Sequence, residues 1–160
     1  MLYDYYLTDS SRVEKYFLYY LDTADERCAA VNGAWGISTL YYPVTRVHVV
    51  TFIDQKGNPV ETTDLYAILE YETDEHENRV WEGYYDKSHV QTNCAAGYAS
   101  VERGFDNQGR MISERYLDRY NKLTNNADGI ASWNGYYDEA GNLVITNRYD
   151  KDLQTVTVEE

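Results

Sequence analysis

Hydrophobic and polar positions alternate over short stretches of this chain instead of recurring at helical spacing. Tyr98 to Phe105, Met111 to Leu117, Ile130 to Tyr137 and Leu143 to Tyr149 are rich in Tyr, Val, Ile and Trp with partial period-two alternation, which predicts strands. Two tight-turn signals separate them in pairs, Asp106-Asn107-Gln108-Gly109-Arg110 and Asp138-Glu139-Ala140-Gly141-Asn142. Asp106 and Asp138 stand where a side chain caps turn amides, and Gly109 and Gly141 where the backbone takes positive φ. That is the chemistry of a type I turn with a following bulge, so each pair predicts an antiparallel hairpin. An earlier copy, Asp74-Glu75-His76-Glu77-Asn78, keeps the Asp and loses the Gly. Arg12 to Leu21 has some helical spacing, but its alignment with Arg110 to Leu117 argues for a strand.

The pattern is periodic. An aspartate returns every 32 residues as Asp22, Asp54, Asp86, Asp118 and Asp150, and a second series keeps the same step as Asp74, Asp106 and Asp138. A third mark follows as Asn32-Gly33, Ala96-Gly97 and Asp128-Gly129, with Asp64-Leu65 as its variant. A fixed period in this range predicts one supersecondary unit copied and stacked. The expectation is an all-β, elongated or gently spiralled array of stacked antiparallel hairpins, about ten strands in one repeat domain over residues 1–160. Its five units meet near Asp22, Asp54, Asp86, Asp118 and Asp150. Roughly eleven residues of loop follow each periodic Asp along one edge. The second copy departs most: Tyr41-Tyr42-Pro43 replaces the Asp-led turn, so its hairpin turn should be rebuilt and the pairing around Pro43 disturbed. Gln154 to Val158 alternates cleanly and reads as an edge strand.

Composition narrows the chemistry. Tyrosine supplies 18 of 160 residues, a side chain suited to half-buried surfaces because its ring is apolar and its hydroxyl wants a partner. The net charge of −13 repels phosphate backbones and anionic membranes, so neither nucleic acid nor membrane insertion is expected. Met1 to Ser10 lacks the basic start and apolar core of a signal peptide, and the chain reads as a segment of a longer array. Cys28 and Cys94 are separated by more than two units, too far for a disulfide if units stack in order, and read as free core residues.

The phrases Tyr137-Asp138-Glu139-Ala140-Gly141-Asn142-Leu143 and Phe105-Asp106-Asn107-Gln108-Gly109-Arg110-Met111 resemble the YD (RHS-type) repeat. Phe52-Ile53-Asp54-Gln55-Lys56-Gly57-Asn58 echoes it, and Gly97-Tyr98-Ala99 with the longer unit is similar to clostridial hairpin-repeat proteins of unassigned role. The resemblance implies bacterial, frequently surface-exposed proteins built of a spiralling antiparallel sheet, without catalysis in the repeats.

Candidate chemistry is sparse. The turn aspartates lack the alternating oxygen ligands of a calcium loop, so turn capping is the expected role of Asp106 and Asp138. His48, His76 and His89 hold unrelated phases, so no zinc site and no cofactor is expected, and solvent exposure is their simplest explanation. No nucleophile elbow is present, and a hydrolytic carboxylate pair would need one member with a raised pKa. The aromatic set carries the functional expectation. Tyr84, Tyr116 and Phe52 share one phase, and Tyr85 and Tyr149 the next, so rings should line both faces of the sheet. Tyr84, Tyr116, Tyr85, Trp81 and Trp133 are thus candidate platforms for a carbohydrate or cell-wall polymer, with Trp35 beside them. The competing expectation is a protein-interaction scaffold or spacer that uses loop tips such as Asp118 to Asp128, with the rings stacked as core. Buried versus exposed tyrosines separate the two. An enzyme would show a pocket that breaks the repeat, with Tyr41 to Val50 the place for it.

Overall fold

The computed structural model describes residues 3–7 and 14–157, with side chains from Lys15 onward. Its strands are β1 (Tyr3–Leu7), β2 (Glu14–Tyr19), β3 (Gly36–Tyr42), β4 (Val47–Ile53), β5 (Ile68–Thr73), β6 (Arg79–Tyr85), β7 (Ser100–Phe105), β8 (Met111–Leu117), β9 (Ser132–Tyr137) and β10 (Leu143–Tyr149). They form one antiparallel sheet in chain order. The array of stacked hairpins is therefore the fold.

Register follows the period. Between hairpins the pairs Phe17↔Ser38, Val49↔Glu70, Trp81↔Glu102 and Ser113↔Asn134 succeed one another at the repeat step. Within hairpins Ser38↔Thr51, Glu70↔Gly83, Glu102↔Arg115 and Asn134↔Asn147 do the same. A side chain at one repeat position thus keeps its face throughout, because a one-residue slip would turn the whole strand over. The first hairpin departs, pairing Tyr6 with Lys15 where the period would set it against Tyr19.

One turn recurs at the described corners, except between β3 and β4, where the stretch from Tyr42 to Val47 is rebuilt without its Asp. In Asp22–Glu26, Asp54–Asn58, Asp74–Asn78, Asp86–Val90, Asp106–Arg110, Asp118–Lys122, Asp138–Asn142 and Asp150–Gln154 the first and fifth residues and the fourth and first residues are joined by backbone hydrogen bonds. The Asp Oδ1 accepts the third and fifth amides, as Asp106 does from Gln108 and Arg110, both at 2.9 Å. Asp138 accepts from Asn142 at 2.8 Å. The fourth residue is left-handed, with φ +74° at Gly109 and +85° at Gly141. A Cβ added at Gly141 would meet nothing within 4 Å, so its cost is conformational alone. Gly141→Ala should therefore lower stability by about 1 kcal/mol in a thermal melt, and an unchanged melt would remove the left-handed turn from the account.

The connections between hairpins are more ordered than loops. After the Asp turn the chain doubles back, as in the bridges Ile53↔Pro59, Tyr85↔Gln91 and Leu117↔Leu123, and then makes a second turn of the same kind. These are Ala30–Ala34, Thr62–Tyr66, Cys94–Tyr98 and Asn126–Ile130. Neighbouring second turns are tied together, Thr63 N–H to the Asn32 carbonyl at 3.2 Å and Ala95 N–H to the Asp64 carbonyl at 2.8 Å.

Two details depart from the sequence reading. Pro43 does not disturb pairing: β3 and β4 stay in register from Gly36↔Ile53 to Tyr42↔Val47. The later hairpins instead carry a bulge in their returning strand. The tail is not a strand among the described residues; it folds back on β10 through Tyr149↔Thr155 and the Val156 amide, and Val158 lies outside those residues.

The core is a line rather than a centre. Ala67, Ala99 and Ala131 repeat at one position and are fully buried beside Ile53, Val101 and Leu117. The surface is 10220 Å², against about 8,200 Å² for a compact monomer of this size, as an elongated sheet requires. Thr39 is 1% exposed and its Oγ1 has no hydrogen-bond partner among the described residues. Thr39→Val keeps the shape and removes the orphan hydroxyl, so it should raise stability by about 1 kcal/mol. A lower melting temperature would mean the hydroxyl is satisfied.

Candidate functional site

Alternation along each strand places Tyr84 and Tyr116 on one face of the sheet, and Tyr85 and Trp81 on the other. The rings of Phe52, Tyr66, Tyr84, Tyr98 and Tyr116 form a continuous ladder on the first face, with centroid separations of 5.7, 4.9, 5.8 and 4.7 Å. Strand residues alternate in it with Tyr66 and Tyr98, which the second turns deliver. Tyr84 and Tyr116 are 7% and 8% exposed. This corrects the platform assignment for both: Tyr84 is covered by Tyr66 and Tyr98 and Tyr116 by Tyr98, and too little of either ring is exposed for a sugar to stack on it.

The hydroxyls are committed as well. Tyr84 donates to Glu82 Oε2 at 3.1 Å, and Tyr116 donates to Glu114 Oε2 at 2.6 Å. Trp133 is half-buried and donates its indole N–H to the same Glu114 oxygen at 2.9 Å. Arg103 lies between the two carboxylates, its Nη1 2.8 Å from Glu82 Oε1 and its Nε 3.0 Å from Glu114 Oε1. Burial pushes the Glu82 carboxyl up, but the hydrogen bond and charge of Arg103, the Tyr84 hydroxyl and Arg79 outweigh it and hold the group below its ordinary value. A general acid needs the opposite shift. The Glu82–Arg103–Glu114 bridge is structural, and the repeated Glu-x-Tyr spacing (Glu82 with Tyr84, Glu114 with Tyr116) was its unread sequence signal.

On the reverse face Trp81 lies across Gly83, where a Cβ would come within 2.4 Å of its ring. Tyr85 beside it is half-buried; burial and the neighbouring Glu70, which its hydroxyl meets, push it up to about 12. Glu70 also receives His89 Nε2 at 2.8 Å. Both Trp81 and Tyr85 are therefore packed elements and not free-standing platforms.

Exposed rings occur elsewhere. Tyr120 is 67% exposed in the Asp118 turn, beneath the Arg119 guanidinium at 4.9 Å. It lines a groove of about 500 Å³ with Thr92, Asn93, Asp118 and Thr124. A second groove, of about 440 Å³, opens at the hairpin turns of the second and third units, in the divergent stretch that begins at Tyr41. His48 belongs to it, stacked between Tyr41 at 4.3 Å and Tyr71 at 4.4 Å, so of the three histidines only His76 and His89 are exposed as the sequence suggested.

Asp106 and Asp138 do what their positions foretold. Asp54, Asp74, Asp106 and Asp138 are all held below the ordinary carboxylate value of 3.8, chiefly by the fifth residue of each turn: the amides of Asn58, Arg110 and Asn142 and the side chain of Asn78. Groups with lowered folded values stabilise fully above 3.8 and lose that contribution as pH falls through the lowered values. Thermal melts in acid should therefore show a melting temperature that drops below about pH 4. A flat profile down to about pH 2 would contradict the capped turns.

No group of three or more His, Cys, Asp or Glu converges on a metal position among the described residues. Cys28 and Cys94 are unpaired thiols. Comparison with protein-family models, with curated proteins and with solved structures found no match.

Proposed function

We propose that this chain is a non-catalytic interaction scaffold, a stiff repeat sheet that presents variable turn tips to a protein partner. The observation that carries the reading is the ring ladder. Tyr84 and Tyr116, the best candidates for a sugar platform, are buried against Tyr66 and Tyr98 in tilted and edge contacts, with their hydroxyls bound to Glu82 and Glu114. The recurring rings are thereby used in holding the sheet together, and the tips differ from copy to copy: Gln55-Lys56, Lys87-Ser88, Arg119-Tyr120 and Lys151-Asp152 occupy one place in successive turns. Loops on a rigid frame are where binding residues concentrate. The YD-type kinship, with its bacterial surface setting, is carried by the turn phrases alone and is part of this proposal.

A second reading keeps a glycan ligand and moves it to Tyr120, the exposed ring with hydroxyl and amide partners around it. One experiment separates the readings: an immobilised glycan and cell-wall panel beside a protein array, probed with the parent and with Tyr120→Ser. The scaffold reading expects retention on the protein array that tip substitutions abolish, with no glycan retained. Glycan retention lost in Tyr120→Ser would replace it with the second reading. Retention of any ligand lost only in Trp81→Ala or Trp133→Ala, at parental stability, would overturn both.

A further inference from the structure

The groove between the second and third hairpin turns holds a ring stack that occurs once among the described residues. Tyr41, His48 and Tyr71 stack as parallel plates, and the Arg79 guanidinium closes the far side of Tyr71 at 4.0 Å. At the positions equivalent to His48 later copies carry Val80, Ile112 and Val144, and at those equivalent to Tyr71 they carry Arg103 and Gly135. Both faces of His48 and both faces of Tyr71 are occupied, so the stack offers its edges to the groove. Ring edges carry positive partial charge and prefer the face of another aromatic ring. They offer a sugar no π-face.

The banks of the groove carry opposite charge. Arg46 stands on the turn of the second hairpin, and Glu75 and Glu77 on that of the third, with Thr73 between the arginines Arg46 and Arg79. Arg46, Glu75 and Glu77 form no ion pair among the described residues, although all three line one groove. Arg46 and Glu77 also hold left-handed backbone, φ +54° and +65°, whereas the turns of the next two hairpins use glycine. A charged side chain is thus kept on each bank at a conformational cost. The volume of about 440 Å³ falls in the range of small-ligand sites.

We propose that this groove binds an aromatic α-amino acid as its zwitterion. The carboxylate meets Arg46 and the Thr73 hydroxyl, the ammonium meets Glu75 and Glu77, and the ring lies flat across the edges of Tyr41, His48 and Tyr71. The site is independent of the scaffold reading, since it uses neither the ring ladder nor the connection tips.

The test is calorimetric titration of the full chain with L-phenylalanine, with the His48 ring resonances followed in parallel by NMR. Saturable binding that moves those resonances is expected. N-acetyl-L-phenylalanine, which lacks the ammonium, and L-phenylalaninamide, which lacks the carboxylate, should each bind at least about tenfold more weakly, because each loses a charge-assisted contact. L-leucine should bind more weakly than L-phenylalanine for want of a ring. Arg46→Gln should weaken L-phenylalanine but leave phenethylamine unchanged, and Glu75→Gln with Glu77→Gln should weaken both. His48→Val, which installs the residue of the later copies, should abolish ring selectivity while the melting curve confirms a folded sheet. Absence of saturable binding, equal affinity for the blocked derivatives, or equal competition by glucose would each overturn the proposal.

Discussion

Tyr84→Ala is expected to destabilise the array by about 3–5 kcal/mol, the usual cost of deleting a buried aromatic ring. Tyr84 sits mid-ladder, 4.9 Å from the Tyr66 ring and 5.8 Å from that of Tyr98, so its loss opens a gap between two hairpins. In a repeat array each unit is held by its neighbours, and the damage spreads to both sides of the gap. Tyr84→Phe retains the ring and removes only the hydroxyl that Glu82 accepts; its cost should be about 1 kcal/mol. Tyr120→Ala, at an exposed tip, should stay within about 0.5 kcal/mol of the parent. Denaturant titration of the four proteins checks the ranking. If Tyr84→Ala and Tyr120→Ala melted alike, the ladder would not be the core.

Arg103→Met should cost about 3 kcal/mol at neutral pH, because it leaves two mostly buried carboxylates facing each other without their shared cation. The side chains of Arg103, Glu82 and Glu114 are 18%, 11% and 14% exposed, so water replaces little of what is lost. The pH dependence identifies the cause. In the parent, Glu82 lies below its ordinary value of 4.5, so its stabilisation is present above that pH and lost as pH falls through the lowered value. In the variant, burial acts unopposed by Arg103 and favours the protonated acid. The penalty is then present above 4.5 and relieved on acidification. The stability gap between parent and variant should therefore narrow as pH drops. A gap independent of pH would mean that Arg103 acts through packing alone.

Much of the fold could be read in the chain because turn chemistry is local. Asp106 and Gly109 need nothing but their own neighbours to make a corner, and their repetition sets the order of the strands. The same logic was readable but weaker in the connections, where Asp25, His89, Asn121, Leu65 and Leu153 take the left-handed position without being glycine. Those turns consequently looked like loops. The fully buried Ala67, Ala99 and Ala131 also kept the period, but Trp35 stands at that position in the first copy and masked it.

The candidate sites were less legible, for a different reason. Period and phase assign Tyr84 to a face, yet they do not say what covers that face. The covering rings, Tyr66 and Tyr98, come from segments whose path only the doubled turn reveals. Glu82 and Glu114 meet through Arg103, a residue that later and earlier copies replace by Gly135, Tyr71 and Thr39. The Tyr41–His48–Tyr71 stack likewise comes from departures from the repeat, which a periodic reading discounts as noise.

The tyrosine ladder is internal and the tips are external. Solvent paramagnetic relaxation on ring-labelled tyrosines tests it most directly, using a small neutral relaxation agent in the buffer. Tyr84 and Tyr116 should be among the least attenuated rings, and Tyr120 and Tyr136, which are 67% and 53% exposed, among the most. Attenuation of Tyr84 and Tyr116 equal to that of Tyr120 would contradict the ladder as core and return those two rings to the list of ligand platforms.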